Sequence, residues 1–118
     1  MANPVVHFEV VGKDAATLTK FYGEAFDWKL EDVMQGSYYM ANPGGEGGIP
    51  GGIGAAPDGG SGHVMFYVQV DDPAAALEKI KSLGGAVVQA ADDTPYGCLA
   101  TASDPMGALF KLVANTNT

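Results

Sequence analysis

The chain has 118 residues, enough for one domain with a core of its own and too few for two independent ones. Apolar residues make up 47% and charged residues 17%, which excludes a disordered or fibrous chain. A net charge of −8 and a pI near 4.3 repel phosphate backbones, so nucleic acid is not an expected partner. Cys98 is the only cysteine and cannot form a disulfide within the chain, which suits a reducing compartment. No secretory signal is recognisable at the start, and no apolar run approaches the ~18 residues of a membrane span. These features point to a cytoplasmic protein with no membrane partner.

Val6, Phe8 and Val10 alternate with His7, Glu9 and Val11, the period of a strand with two faces. Asp14 stands where a helix N-cap belongs. Leu18, Phe21, Tyr22, Ala25 and Phe26 then recur at helical steps and predict one apolar face. Trp28 to Asp32 and Ser37 to Ala41 read as two short strands joined around Gly36. A glycine-rich segment, about 42–62, follows. A short strand is expected there around Gly51 to Ala56, because Ile49 and Ile53 need a buried place, and the rest reads as loop. The segment has no lysine, so it is not a phosphate-binding loop.

The second half repeats the plan. Val64, Phe66, Val68 and Val70 form one strand face, and Met65, Tyr67 and Gln69 the other. Asp72-Pro73 starts a helix whose apolar face is Ala76, Leu77, Ile80 and Leu83, and Gly84-Gly85 ends it. Ala86 to Ala90, Gly97 to Ala102 and Ala108 to Val113 read as strands, with Asp104-Pro105-Met106-Gly107 as the turn before the last. Phe8 falls on Phe66, Val10 on Val68 and Asp14 on Asp72, each at an offset of 58. The chain is therefore two tandem strand–helix–strands units in one domain, module one about 4–56 and module two about 63–114.

Four stretches carry a family resemblance: His7-Phe8-Glu9-Val10; Phe21 to Trp28; Asp71-Asp72-Pro73 with Leu83-Gly84-Gly85; and Asp104-Pro105-Met106-Gly107. In this order and spacing the chain resembles the glyoxalase/bleomycin-resistance/dioxygenase superfamily, also called vicinal oxygen chelate proteins. The resemblance implies an α+β fold of two tandem βαβββ modules. Together they form a cup-shaped, mostly antiparallel mixed sheet with helices outside, commonly as a homodimer. It also implies a divalent metal held by the first and fourth strands of each module.

Carried over position by position, that ligand set falls on His7, on the Gly51-Gly52-Ile53 region, on Met65 and on Lys111. Glycine has no side chain to chelate with, a thioether is a poor ligand for hard metals, and an ammonium repels a cation. His7, if any, is the one metal ligand left. Two other side chains could substitute. His63, two residues before Met65, would stand roughly 6.6 Å from the expected position and could join His7 and Glu9 only around a shifted metal. Glu46 could reach in from the glycine-rich segment. The expectation is a cup without a metal or other cofactor.

The resemblance and the alternation together put His7, Glu9, Met65, Tyr67, Gln69, Leu109 and Lys111 on the cup side. Phe8, Val10, Phe66, Val68, Phe110 and Leu112 would then face the helices. Glu9 is an expected partner for Lys111 across the cup. Tyr38, Tyr39, Trp28, Tyr67 and Tyr96 supply aromatic surface, and Tyr39 joins the expected ligand-binding set. Met40, Met65 and Met106 read as adaptable packing, and Cys98 as structural. The leading expectation is a protein of sequestering or resistance type that binds a small organic molecule through His7, Glu9, Tyr39, Met65, Tyr67, Gln69 and Lys111. The alternative is a lyase, isomerase or dioxygenase of the same superfamily, with or without a divalent metal. In it His7 and Glu9 are catalytic, one of them a base α to a carbonyl, and Lys111 stabilises the enolate. An interaction module would need an exposed apolar patch, which the sequence does not show.

Overall fold

The computed structural model describes residues 2–42, 47–56, 62–95 and 97–114. Glu46 and Tyr96 lie outside these residues. The chain divides into two compact units, His7–Val64, and Met65–Thr118 together with Met1–Val6.

In the first unit β1 (Val5–Gly12) leads into α1 (Ala15–Phe26), followed by β2 (Lys29–Asp32), β3 (Tyr38–Asn42) and β4 (Gly51–Ala55). The strands lie in the order β2-β3-β4-β1, with β1 and β4 parallel and the other pairs antiparallel. Asp14 caps α1 as expected: its carboxylate accepts from Ala16 N at 3.0 Å and from the Thr17 hydroxyl at 2.8 Å. Asp27, in the left-handed region at φ 60°, ends the helix and donates its N–H to the Gly23 carbonyl. The Asp32 carboxylate takes the Met34 and Gly36 amides at 3.1 and 2.9 Å, shaping the turn between β2 and β3.

The helix side of this sheet is built on Val10, Ala41 and Ile53, all buried, with Ala15 of α1. Trp28 packs on Tyr22, Phe26 and Phe8, with centroids 5.3, 5.5 and 5.3 Å away. Trp28 is thus a packing residue of the helix side. Two expectations change here. Phe21 and Phe26 are 59% and 57% exposed, because four short strands cannot cover the whole apolar arc of a twelve-residue helix. Ile49 is also exposed, while Ile53 is fully buried.

In the second unit β5 (His63–Gln69), whose first two residues belong to the first unit, leads into α2 (Pro73–Ser82). β6 (Ala86–Thr94), β7 (Gly97–Ser103) and β8 (Leu109–Ala114) follow. The order is β5-β8-β7-β6, with β5 and β8 parallel and the others antiparallel. Asp72 caps α2 through the Ala74 and Ala75 amides, Pro73 opens it, and Lys79 and Lys81 sit favourably in its last turn. Gly84, at φ +98°, reverses the chain after the helix. The Asp104 carboxylate takes the Met106 and Ala108 amides at 2.8 and 3.0 Å and forms the turn into β8.

The core here is Leu77, Ala100, Ala102 and Leu112, backed by Val68, Val70, Ile80 and Phe110. Leu83 does not join it and is 69% exposed, one residue past the helix and beyond the sheet's reach. Val64 and Phe66 are exposed too, although Phe66 stacks on Phe110. Single apolar side chains are thus exposed in each unit. β6 runs four residues past the expected Ala90, with register shifts between Val87 and Asp92 that let it continue along β7. No helix among the described residues is long and apolar enough to cross a membrane.

Candidate functional site

Strand register decides which side chains of the first unit can meet. Glu9 stands opposite Gly52 and Val11 opposite Gly54. On the other side of β4, Tyr38 stands opposite Gly54 and Met40 opposite Gly52. Residues in direct register share a face, so His7, Glu9, Val11, Tyr38 and Met40 point one way. Phe8, Val10, Ile53, Tyr39 and Ala41 point to the helix side. Tyr38 and Tyr39 are both expected to supply aromatic surface, with Tyr39 in the ligand-binding set; the one on the His7 and Glu9 face is Tyr38. Successive residues of a strand face opposite ways, and only the pairing of β3 with β4 decides which of the two tyrosines shares the Glu9 face.

β3 and β1 lie two strands apart, roughly 9.6 Å. A tyrosine on β3 can reach β1 only by lying across β4. The glycines permit this. A Cβ on Gly52 would collide with the Tyr38 phenol, and one on Gly54 would stand 2.6 Å from Tyr38 Cδ1. On the opposite face the bare Cα of Gly51 admits the Phe8 ring. β4 is thus a nearly bare strip of backbone pressed between two aromatic rings.

The phenol ends at a polar cluster. Tyr38 Oη donates to Glu9 Oε2 at 3.2 Å, and His7 Nε2 lies 3.5 Å from the same Oη. His63 Nε2 stands 3.4 Å from Glu9 Oε1. Glu9 is only 6% exposed. A carboxylate removed from water to this degree is tolerable only with such partners. His7, Glu9 and His63, the three groups the sequence offers for an atypical site, are brought together here. Tyr38 connects them, and the clue in the sequence was the Gly-Gly-Ile-Gly spacing of β4, with glycines two apart on one face.

In the second unit Tyr67 stands opposite Lys111 and Gln69 opposite Val113. Val68 stands opposite Leu112 on the helix side. Met65 and Tyr67 are buried, and Lys111 Nζ lies 5.5 Å from the centre of the Tyr67 ring, a cation–π arrangement. Gln69 donates its backbone N–H to the Pro4 carbonyl at 2.9 Å. Thr101, opposite Lys111 on β7, is buried on the same face. A groove of about 590 Å³ lies on the helix side, between α2 and β6. Half of its lining residues are alanine, with Leu77 and Val87 beside them, and its charged members Glu78 and Lys81 pair with each other at 3.4 Å. Cys98 is half-buried. Desolvation, then the Asp93 carboxylate opposite it on β6, push its thiol pKa up, so it is a poor nucleophile.

The metal that the resemblance implies does not fit these residues. The fourth-strand position is glycine, and the space above it holds the Tyr38 phenol. His7 Nε2 and Glu9 Oε2 both address that phenol. In the second unit the corresponding positions are a thioether and an ammonium. Among the described residues no three His, Cys, Asp or Glu side chains are grouped to hold a metal ion.

Among curated proteins none matches this sequence. Solved structures with the same fold include methylmalonyl-CoA epimerase from Mycobacterium tuberculosis, at 15% identity and TM-score 0.68, covering 95% of this chain and 87% of that one. A hypothetical protein from Bacillus halodurans C-125 is 14% identical with TM-score 0.69, covering 100% of this chain and 98% of that one. A glyoxalase/bleomycin resistance protein/dioxygenase superfamily member from Vibrio splendidus 12B01 is 14% identical with TM-score 0.66, covering 97% and 100%. At these identities the likeness speaks for the fold alone. The sequence model of one family matches residues 5–112, nearly the whole chain, and with the two strand–helix–strands units it shows that this protein belongs to the glyoxalase/bleomycin resistance protein/dioxygenase superfamily.

Proposed function

We propose that this protein binds a small organic molecule on the sheet face that carries His7, Glu9, Tyr38 and His63, and that it does so without a divalent metal. One observation carries the reading: a buried carboxylate held by a phenol and an imidazole on a strand face cleared by glycines. Two imidazoles, a phenol and a carboxylate can hold a polar group by several hydrogen bonds at once, while the ring of Tyr38 offers a flat apolar surface beside them. The test is a ligand-library thermal shift on protein stripped with chelator, with and without added divalent metals. A ligand that binds only the folded chain raises the melting midpoint. Ligands that stabilise the metal-free protein, and lose their effect in Glu9→Ala, support the reading. A stoichiometric divalent metal bound through His7 in protein purified without chelator sinks it.

The second reading is an enzyme, a lyase or isomerase acting beside a carbonyl. Glu9 favours it, because a carboxylate bonded to a phenol and a histidine is a base with proton partners already in place. It predicts that His7→Ala abolishes turnover while the fold persists. Unchanged turnover in that variant removes it.

A further inference from the structure

In the second unit one row of residues runs in direct register across β5, β8, β7 and β6. Tyr67 stands opposite Lys111, Lys111 opposite Thr101, and Thr101 opposite Gln89. Partners in direct register share a face, so the four side chains form a line with steps of roughly 4.8 Å. The line carries an aromatic ring, an ammonium, a hydroxyl and a carboxamide, and the last three are hydrogen-bond donors. Two of these residues are set unlike others of their kind. The six basic residues of the chain are all lysines; Lys13, Lys20, Lys29, Lys79 and Lys81 are exposed, and Lys111 is half-buried. The Tyr67 ring, 7% exposed, lies 5.5 Å from the Lys111 ammonium and fixes where that charge stands. Thr101 is 6% exposed, yet among the described residues its hydroxyl has no hydrogen-bond partner. No side-chain oxygen or nitrogen among those residues is both sealed from solvent and unpartnered, so this hydroxyl opens onto the face it shares with Lys111. A hydroxyl drawn out of water without a partner is unfavourable, and a bound acceptor would satisfy it. The row itself holds no carboxylate; Asp92, opposite Leu99, is two strands and two residues from Lys111. We propose that Lys111 and Thr101 form an oxyanion site, which takes the carboxylate or phosphate group of a small molecule beside the Tyr67 ring. Gln89 extends the donor line on the edge strand β6. An ammonium has three donors, so Lys111 need not give up another contact to take an oxyanion. The site shares no residue with the His7 face and does not depend on the reading proposed for it.

The test uses the whole chain in solution at constant ionic strength, with benzoate and inorganic phosphate as probes and chloride as the control anion. The Thr101 methyl and amide and the Lys111 side-chain resonances are followed by NMR, and the titration gives the affinity. Saturable shifts at both residues are expected with at least one probe and not with chloride. A response to benzoate alone assigns a carboxylate, to phosphate alone a phosphate, and to both the oxyanion as such. Lys111→Met should weaken binding about tenfold or more, and Thr101→Val about threefold. Lys79→Met, which removes an exposed charge from α2, should leave the affinity unchanged. Shifts no larger than those with chloride overturn the proposal. So does an equal loss in Lys79→Met, which marks unspecific attraction to positive charge. The wild-type titration decides alone if a variant of the row does not fold. Failure here leaves the His7 reading standing, since none of its residues is measured.

Discussion

The Tyr38 phenol occupies the place where a side chain on Gly52 would stand. Gly52 is not in a positive-φ conformation, so its glycine identity answers to this contact and not to the backbone. Gly52→Ala should therefore drive the phenol off Glu9 and cost about 1–3 kcal/mol, the usual range for overpacking. Urea unfolding gives the number. In a Tyr38→Ala background the same change should cost much less. An equal cost in both backgrounds would show that the collision is not the cause.

The second unit offers a paired contrast between two leucines of one helical region. Leu77 is buried in the core, and Leu77→Ala should cost about 2–5 kcal/mol. Leu83 has the same sequence spacing but is exposed, and Leu83→Ala should stay within about 0.5 kcal/mol. Chemical denaturation of the two variants checks the pair. Comparable losses would mean that Leu83 is covered in solution.

Asp14 gives α1 a pH dependence. Its pKa is held below the ordinary value, first by the Thr17 hydroxyl, then by the backbone N–H groups of the first turn. A depressed folded pKa means that the cap contributes fully above the unfolded value of about 3.9 and is lost as pH falls through the lower folded value. Hydrogen-exchange protection in α1, corrected for the intrinsic rate at each pH, should fall in that acid window. Thr17→Val should move the Asp14 titration, followed by NMR, upward toward its ordinary value. No movement would discount the hydroxyl.

Cys98 should react slowly with iodoacetamide at pH 8, more slowly than a free thiol, because desolvation and the facing Asp93 disfavour the thiolate. Asp93→Asn removes the second of these causes and should speed alkylation. Reaction at the free-thiol rate in the native wild type would contradict this picture.

Much of the molecule was legible along the chain. Asp14 and Asp72 as caps, Pro73 at a helix start, Gly84 at a helix end and the Asp104 turn are local devices. Each depends on residues within four or five positions, and each is found where it was expected. The alternation of His7 and Glu9 against Phe8 and Val10 was equally readable, since period two is a property of one strand. The exposed Phe21, Phe26 and Leu83 were not. Periodicity shows which face of a helix is apolar, but how much of that face a sheet covers depends on strand number and length.

The amino-acid sequence by itself determined the repeated strand–helix–strands plan, the caps and turns, and the bare glycines of β4. Those follow from backbone preference and short-range hydrogen bonding. Only the tertiary structure decided that Tyr38 and not Tyr39 faces His7, and that its phenol crosses β4 to Glu9. These depend on register between strands distant in sequence, where a slip of one residue exchanges the faces. The same long-range pairing turned an isolated run of glycines into the bed of a tyrosine ring.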